Sequence, residues 1–243
     1  MSTILILSGG GIKGAVAAAR YVRDHELILL HVDHGQAAST AESRALAMLA
    51  AHWPKARLCT AALPPLNHMP SAVRAGAGPV VNSDPTRKQS DEAARLLSLR
   101  GLMPTMFSLG AQAALRFGAS SVVVGISALV TGEHIGLPGQ DAGPDARREA
   151  LHAFDIMLEA MLRPRTRIRM EAPLMDLTYP QIVKLGQRFE IPWERTHTCE
   201  APAGGSCGKC PSCRARAQAF LDAAIRDPAS PATAVNLKPL PVA

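Results

Sequence analysis

At 243 residues with 47% apolar side chains, the chain has the composition of a globular domain that buries its own core, not of a disordered segment. Aromatic residues are only 4%, which argues against a stacking platform for single-stranded nucleic acid, and no apolar run reaches the roughly 18 residues of a membrane-spanning helix. The net charge of +6 is spread along the chain rather than gathered in one run, which favours a small anionic substrate over a nucleic-acid groove.

The first apolar run, Ile4 to Leu7, reads as a buried parallel strand. It leads into Ser8-Gly9-Gly10-Gly11-Ile12-Lys13-Gly14 and then an Ala-rich helix that the pattern carries to about Asp24. Strand, glycine turn and helix together offer free backbone N–H groups and a positive dipole end to an anion. The same residues also fit a plain strand-to-helix turn, so the loop alone leaves both readings open. A second apolar run, Leu27 to Val32, ends in Asp33-His34-Gly35-Gln36. A helical pattern follows over Ala41 to His52 and a weaker strand over Ala56 to Leu63. This β-α-β-α-β rhythm with near-continuous apolar strands predicts a parallel, doubly wound α/β sheet. The Ser8 turn and the Asp33 turn then fall together beyond the carboxyl ends of their strands, where such sheets bind ligands.

Pro64 to Leu99 opens rich in Pro, Gly, Asn and Asp and reads as an irregular crossover or lid, with a helix over Lys88 to Arg100. Thr105 to Phe117 predicts a buried helix, Ser121 to Val124 a strand, and Ser127 to Pro144 a Gly-rich loop. Helices are predicted over Asp145 to Leu162 and, with Thr178 as cap, to Phe189, with a strand between them over Ile168 to Ala172. The last helix spans Arg214 to Ile225, ahead of a Pro-rich tail expected to be extended or mobile. The expected organisation is a nucleotide-binding domain over 1–190, a metal-bound subdomain over 191–226 and a tail over 227–243. The N-terminus lacks a signal-peptide pattern, so a cytoplasmic location is expected. Cysteines there act as ligands or free thiols rather than disulfides.

Cys199, Cys207, Cys210 and Cys213 fall close together, with two residues between Cys207 and Cys210 and again between Cys210 and Cys213. Such spacing lets one turn aim several thiolates at one ion. Four sulfurs close a tetrahedron, which points to structural zinc; an iron–sulfur cluster and disulfides are the other readings. Cys59 reads as a core residue and His197 as a pocket or loop residue rather than a ligand.

Taken together, these motifs resemble the 7-cyano-7-deazaguanine synthase (QueC) family of PP-loop ATP pyrophosphatases. That family opens with Ser-Gly-Gly-x-Asp-Ser, matched here by Ser8 to Lys13. Its Asp-Tyr-Gly-Gln is matched by Asp33 to Gln36, and its Pro-Asp-x-Arg-x-Glu by Pro144, Asp145, Arg147 and Glu149. Its Pro-Leu is matched by Pro173-Leu174, and its Thr-x-Thr-Cys and Cys-Gly-x-Cys-x-x-Cys ending by Thr196 to Cys213. The resemblance implies ATP-dependent adenylation of 7-carboxy-7-deazaguanine, with Mg²⁺, and transfer of the acyl group to an amine. The amine is ammonia, giving amide and then nitrile, or that of a protein or other macromolecule; some relatives are encoded with antiviral defence systems. It also implies a homodimer.

On this reading Lys13, Asp33 and His34 carry catalysis. Ser8, Gly9, Gly10, Gly11, Lys13 and Gly14 hold ATP, while Gln36, Arg100, Asp145, Arg147 and Glu149 hold the deazapurine. The alternative reading of Asp145 and Glu149 is a solvated helix start. The chain departs from the family where Ile12 and Lys13 replace the loop Asp and Ser, and where Pro104-Thr105-Met106-Phe107 replaces Pro-Gly-Arg-Asn. These changes admit a second reading, a weakened relative that binds nucleotide or deazapurine for a partner. A remote third reading takes the glycine loop as the oxyanion loop of a patatin-like hydrolase with Ser127 as nucleophile.

Overall fold

The computed structural model describes residues 1–63, 102–127, 147–162, 167–202 and 205–229. Five parallel strands form one sheet in the order β3-β2-β1-β4-β5. They are β1 (Thr3–Leu7), β2 (Glu26–Asp33), β3 (Ala56–Ala62), β4 (Ala119–Val124) and β5 (Arg169–Glu171). The helices are α1 (Ile12–Ala19), α2 (Ser39–His52), α3 (Leu102–Phe117), α4 (Arg148–Leu162), α5 (Tyr179–Arg188) and α6 (Pro211–Asp222).

The predicted sheet is present, and the strands show why its apolar runs are continuous. Successive side chains point to opposite faces, and both faces are covered. Ile4, Ile6, Leu27, Leu29 and Val123 join one core with residues of α1, α2, α5 and α6. Leu5, Ile28, Leu30, Val122 and Val124 join the other with α3 and α4. The edge strand β3 is only half-buried, which accounts for its weak signal.

Element ends moved where tertiary contacts override local pattern. α1 stops at Ala19, and turns bonded to Ala18 and Tyr21 complete the stretch to His25. α3 starts at Leu102, three residues before the predicted Thr105, and β4 at Ala119. α6 starts at Pro211, because Cys210 caps it by accepting from the Cys213 N–H. Thr178 caps α5 as predicted, and its own N–H donates to Gln181 Oε1 at 2.8 Å. The predicted helix over Lys88 to Arg100, the Pro64 to Leu99 crossover and most of the Ser127 to Pro144 loop lie outside the described residues.

The C-terminal segment is packed into the body: Ala215, Ala219, Phe220 and Ala223 belong to the same core as β1 and α1. Asp227, at the head of the expected tail, is folded in too. Its carboxylate receives the Arg216 guanidinium at 2.7 and 2.8 Å, and both side chains are 5% exposed. Strand order reverses between β1 and β4, so the sheet opens a crevice at their carboxyl ends. No helix among the described residues is long and apolar enough to cross a membrane.

Candidate active site

The crevice holds a cavity of about 340 Å³. One wall is the glycine loop. Ser8 Oγ accepts the Gly10 N–H at 3.0 Å, which folds the loop back on the end of β1. Gly10 has a φ of +73°, and a Cβ there would lie 2.9 Å from the Ala45 Cβ and the Glu42 carbonyl oxygen of α2. Only glycine permits both the conformation and the approach. At Gly14 a Cβ would lie 2.0 Å from Ser8 Oγ, so this glycine brings the first turn of α1 onto the loop. Gly11 is the extended N-cap of α1, and the first-turn N–H groups of that helix supply a positive end at the cavity wall.

Lys13 lies in this first turn, half-buried and lining the cavity. No carboxylate among the described residues pairs with it. Burial pushes its ammonium below the ordinary value of 10.5. A half-buried cation without a partner is costly unless an anion joins it. Ile12 is fully buried in the core and offers the cavity no ligand atom.

The second wall is the turn after β2. The Gly35 N–H donates to Asp33 Oδ1 at 2.9 Å and holds the Asp33 carboxyl below its usual range. Gln36 Oε1 accepts the His34 N–H at 2.8 Å, while its Nε2 donates to Glu42 Oε2 at 2.8 Å and to the Val32 carbonyl at 3.2 Å. Gln36 therefore fixes the turn and orients Glu42 with its polar atoms. His34 lines the cavity, and burial lowers its pKa against the opposing pull of Glu42 and Asp33, so it is neutral at physiological pH.

Among the residues singled out from sequence, Ser8, Gly9, Gly11, Lys13, Gly14, His34 and Gln36 are brought together around the cavity. Gly10 and Asp33 belong to the loops but do not line it. Arg147 and Glu149 are exposed at the start of α4 and do not line it either, as a solvated helix start would not. Arg100 and Asp145 lie outside the described residues. Ser127 is 3% exposed and donates its hydroxyl to the Leu177 carbonyl at 2.5 Å, which removes it as a hydrolase nucleophile.

The sequence reading missed Glu42, His31, Tyr179 and Thr198, all of which line the cavity. Position 31 carried the one available signal: a histidine at a core-facing position of a buried strand. Met103, Met106 and Ile126 make the opposite wall apolar. Met106 lies in the Pro104 tetrapeptide, where the related motif has a cation.

The Sγ atoms of Cys199, Cys207, Cys210 and Cys213 lie within 4.8 Å of one another and could hold a metal ion. Backbone N–H groups point at the sulfurs: Ala201 and Cys207 at Cys199, Lys209 and Cys210 at Cys207, and Cys213 at Cys210, all at 3.3–3.4 Å. Burial pushes Cys199 and Cys210 up. Cys207 also feels burial, but the N–H groups of Lys209 and Cys210 and the neighbouring thiols outweigh it and bring it down to about 6. Four clustered sulfurs cannot all ionise without a cation among them, so the donor set fits a thiophilic metal. His197 is not one of the clustered ligands. Its N–H donates to the Gly10 carbonyl at 2.9 Å, and its Nε2 lies 2.9 Å from the Cys199 carbonyl oxygen. It links the cysteine cluster to the glycine loop.

The family model described as "Queuosine biosynthesis protein QueC" matches residues 2–224. A protein named 7-cyano-7-deazaguanine synthase from Methanothermobacter thermautotrophicus is 30% identical over 231 residues, covering 94% of this chain and 98% of its own. One of the same name from Chlorobium phaeobacteroides is 26% identical, covering 94% and 96%. Among solved structures, the U34-tRNA thiolase NcsA from Methanococcus maripaludis with its [4Fe-4S] cluster aligns at a TM-score of 0.46 and 11% identity, over 91% of this chain and 65% of that one. With the glycine loop, the Asp33 turn and the four cysteines all inside the matched span, the chain belongs to the QueC family.

Proposed function

We propose that the protein is an ATP-dependent carbon–nitrogen ligase. It adenylates the carboxylate of 7-carboxy-7-deazaguanine, or a close deazapurine, and passes the acyl group to an amine. The observation that carries this reading is Lys13, a half-buried cation with no acidic partner among the described residues, at the N-terminal turn of α1 and facing the cavity. A carboxylate oxygen attacks the α-phosphorus of ATP, and the bond to pyrophosphate breaks. Lys13 and the first-turn N–H groups stabilise the charge that gathers on the leaving group. The apolar wall of Met103, Met106 and Ile126 keeps water from the acyl-adenylate. An amine then attacks the acyl carbon and AMP departs. The acceptor is ammonia, giving an amide and, after a second activation, a nitrile, or it is an amine of a protein.

The loop Asp that organises Mg²⁺ in the family is Ile12 here, buried and without a ligand atom. The loop residues therefore do not fit that ion. Zinc is the metal we assign to the four cysteines. When bound it supplies folding free energy and holds the Cys199 segment against the glycine loop.

The test is exchange of labelled pyrophosphate into ATP. Exchange that depends on the deazapurine carboxylate is the expected result. Binding of both ligands without exchange would instead favour the second reading, a nucleotide-holding module, whose support is Ile12 in place of the loop Asp.

A further inference from the structure

Along β2, Leu27 and Leu29 face the layer of α1 and α2, and position 31 follows them on that face. The residue there is His31. Its side chain is 3% exposed and lines the cavity. Its Nε2 lies 3.3 Å from Ser39 Oγ, while Nδ1 has no hydrogen-bond partner. With Nε2 donating to Ser39, Nδ1 presents an unused lone pair. The atom facing it is Glu42 Oε2, at 4.0 Å. Among the described residues that line the cavity, Glu42 is the sole carboxylate. Gln36 fixes its Oε2, and the carboxyl carbon sits where a Cβ on Gly9 would be 3.3 Å away. A carboxylate thus stands beside the phosphate loop, backed by a buried imidazole held just beyond hydrogen-bonding distance.

An unpaired buried imidazole nitrogen costs stability, and such atoms mark places where a partner joins during function. The phosphate half of the reaction does not need it, since Lys13 and α1 serve the anion. The amine half needs a proton acceptor. A basic amine enters as its ammonium, and forming the amide releases a proton. We propose that Glu42 is the general base for the amine and that His31 is the positioning residue which receives the proton from it. This deepens the ligase reading above and rests on it. The Glu42 carboxylate takes an N–H proton from the ammonium. The freed lone pair forms the C–N bond at the acyl carbon, and the acyl C–O bond breaks with its electrons leaving on AMP. The second N–H proton, lost as the amide forms, goes to the phosphate of the departing AMP. One proton passes from Glu42 to His31 Nδ1, closing the 4.0 Å gap as an ion pair, and returns to solvent when product leaves. Among the described residues, the other titratable groups around the pair are Asp33 and His34 after β2, which interact with it electrostatically, and Lys13 on α1, Tyr179 on α5 and His197 beside the cysteines, which line the same cavity. Lys13 is committed to phosphate, Asp33 to the Gly35 N–H and His197 to backbone contacts.

The experiment uses the full chain and the variants Glu42→Gln and His31→Asn. Each is assayed for pyrophosphate exchange, and then in single turnover of the acyl-adenylate with ammonia or an alkylamine against hydroxylamine. Hydroxylamine is largely unprotonated at neutral pH and needs no base. Exchange within about threefold of wild type, a loss of about 10²-fold or more with the basic amine in Glu42→Gln, and a much smaller loss with hydroxylamine are expected. His31→Asn shows the same selectivity with a smaller loss. Equal losses with both nucleophiles, or no loss with either, overturn the proposal while leaving the ligase reading intact. Wild-type protein without exchange overturns the ligase reading and this proposal with it.

Discussion

Replacing Asp227 with Ala tests how the C-terminal segment is held. The Arg216 guanidinium donates from Nε and Nη2 to the Asp227 carboxylate at 2.7 and 2.8 Å. Its Nη1 donates to Thr196 Oγ1 at 2.8 Å and its Nη2 to the Trp193 carbonyl at 3.1 Å. Both ionic side chains are 5% exposed. Truncating Asp227 leaves a buried guanidinium without its counter-ion, a change worth about 3–5 kcal/mol. A protein of this size loses about 2–4 °C in Tm per kcal/mol, so Asp227→Ala lowers Tm by about 6–20 °C. Replacing the pair together, Arg216→Met with Asp227→Leu, recovers part of the loss, because no lone charge remains buried. Thermal melts and urea unfolding of the two variants check this. The contacts of Arg216 with Thr196 precede His197 and Thr198 in the cavity wall, so ATP affinity falls alongside Tm. An Asp227→Ala protein melting within about 2 °C of wild type would refute the reasoning.

Lys13→Ala weakens ATP binding by about 10- to 100-fold, the worth of a charge-assisted contact, with Tm nearly unchanged, as read by calorimetric titration and a melt. The lowered pKa of Lys13 sets the sign of the pH effect: only the cation binds phosphate, so ATP affinity falls as pH rises through a value below 10.5, and Lys13→Arg abolishes that fall. Cys210→Ser lowers bound metal well below one ion per chain by elemental analysis and lowers Tm, because metal binding and folding are linked. Ile12→Asp, which restores the family's loop residue, destabilises by about 3 kcal/mol or more in a urea titration, since it places a carboxylate in a fully buried position.

The sheet was legible because its strands are buried on both faces. Ile4 to Leu7 and Leu27 to Val32 alternate between two cores, so every position is apolar and the runs stand out. β3 was harder to see because an edge strand shares only half that burial. The loop chemistry was legible as motif: Ser8, Lys13, His34 and Gln36 meet around one cavity. Their division of labour was not. Gln36 looks like a ligand in sequence, but its amide is consumed by His34, Val32 and Glu42, contacts that exist only once α2 lies over the turn. Glu42 reads in sequence as one more polar residue of an amphipathic helix. Its role depends on Gly9 and Gly10, which let α2 approach the loop closely.

The replaced loop Asp has a physical sequel in the rest of the wall. Ile12 packs in the core with Val16, Ile182 and Val183 and shows the cavity only an apolar side chain, so the loop no longer brings its own carboxylate to the phosphate end. Lys13, one residue on, supplies a fixed cation instead, and the cavity's acidic group sits across the loop on α2. Charge in this wall is therefore divided: positive on α1 beside the glycines and negative on α2 beside β2. The His197 to Gly10 hydrogen bond ties the cysteine cluster to the seam between them. Such a division suits a site where pyrophosphate leaves from one side and an amine gives up a proton on the other.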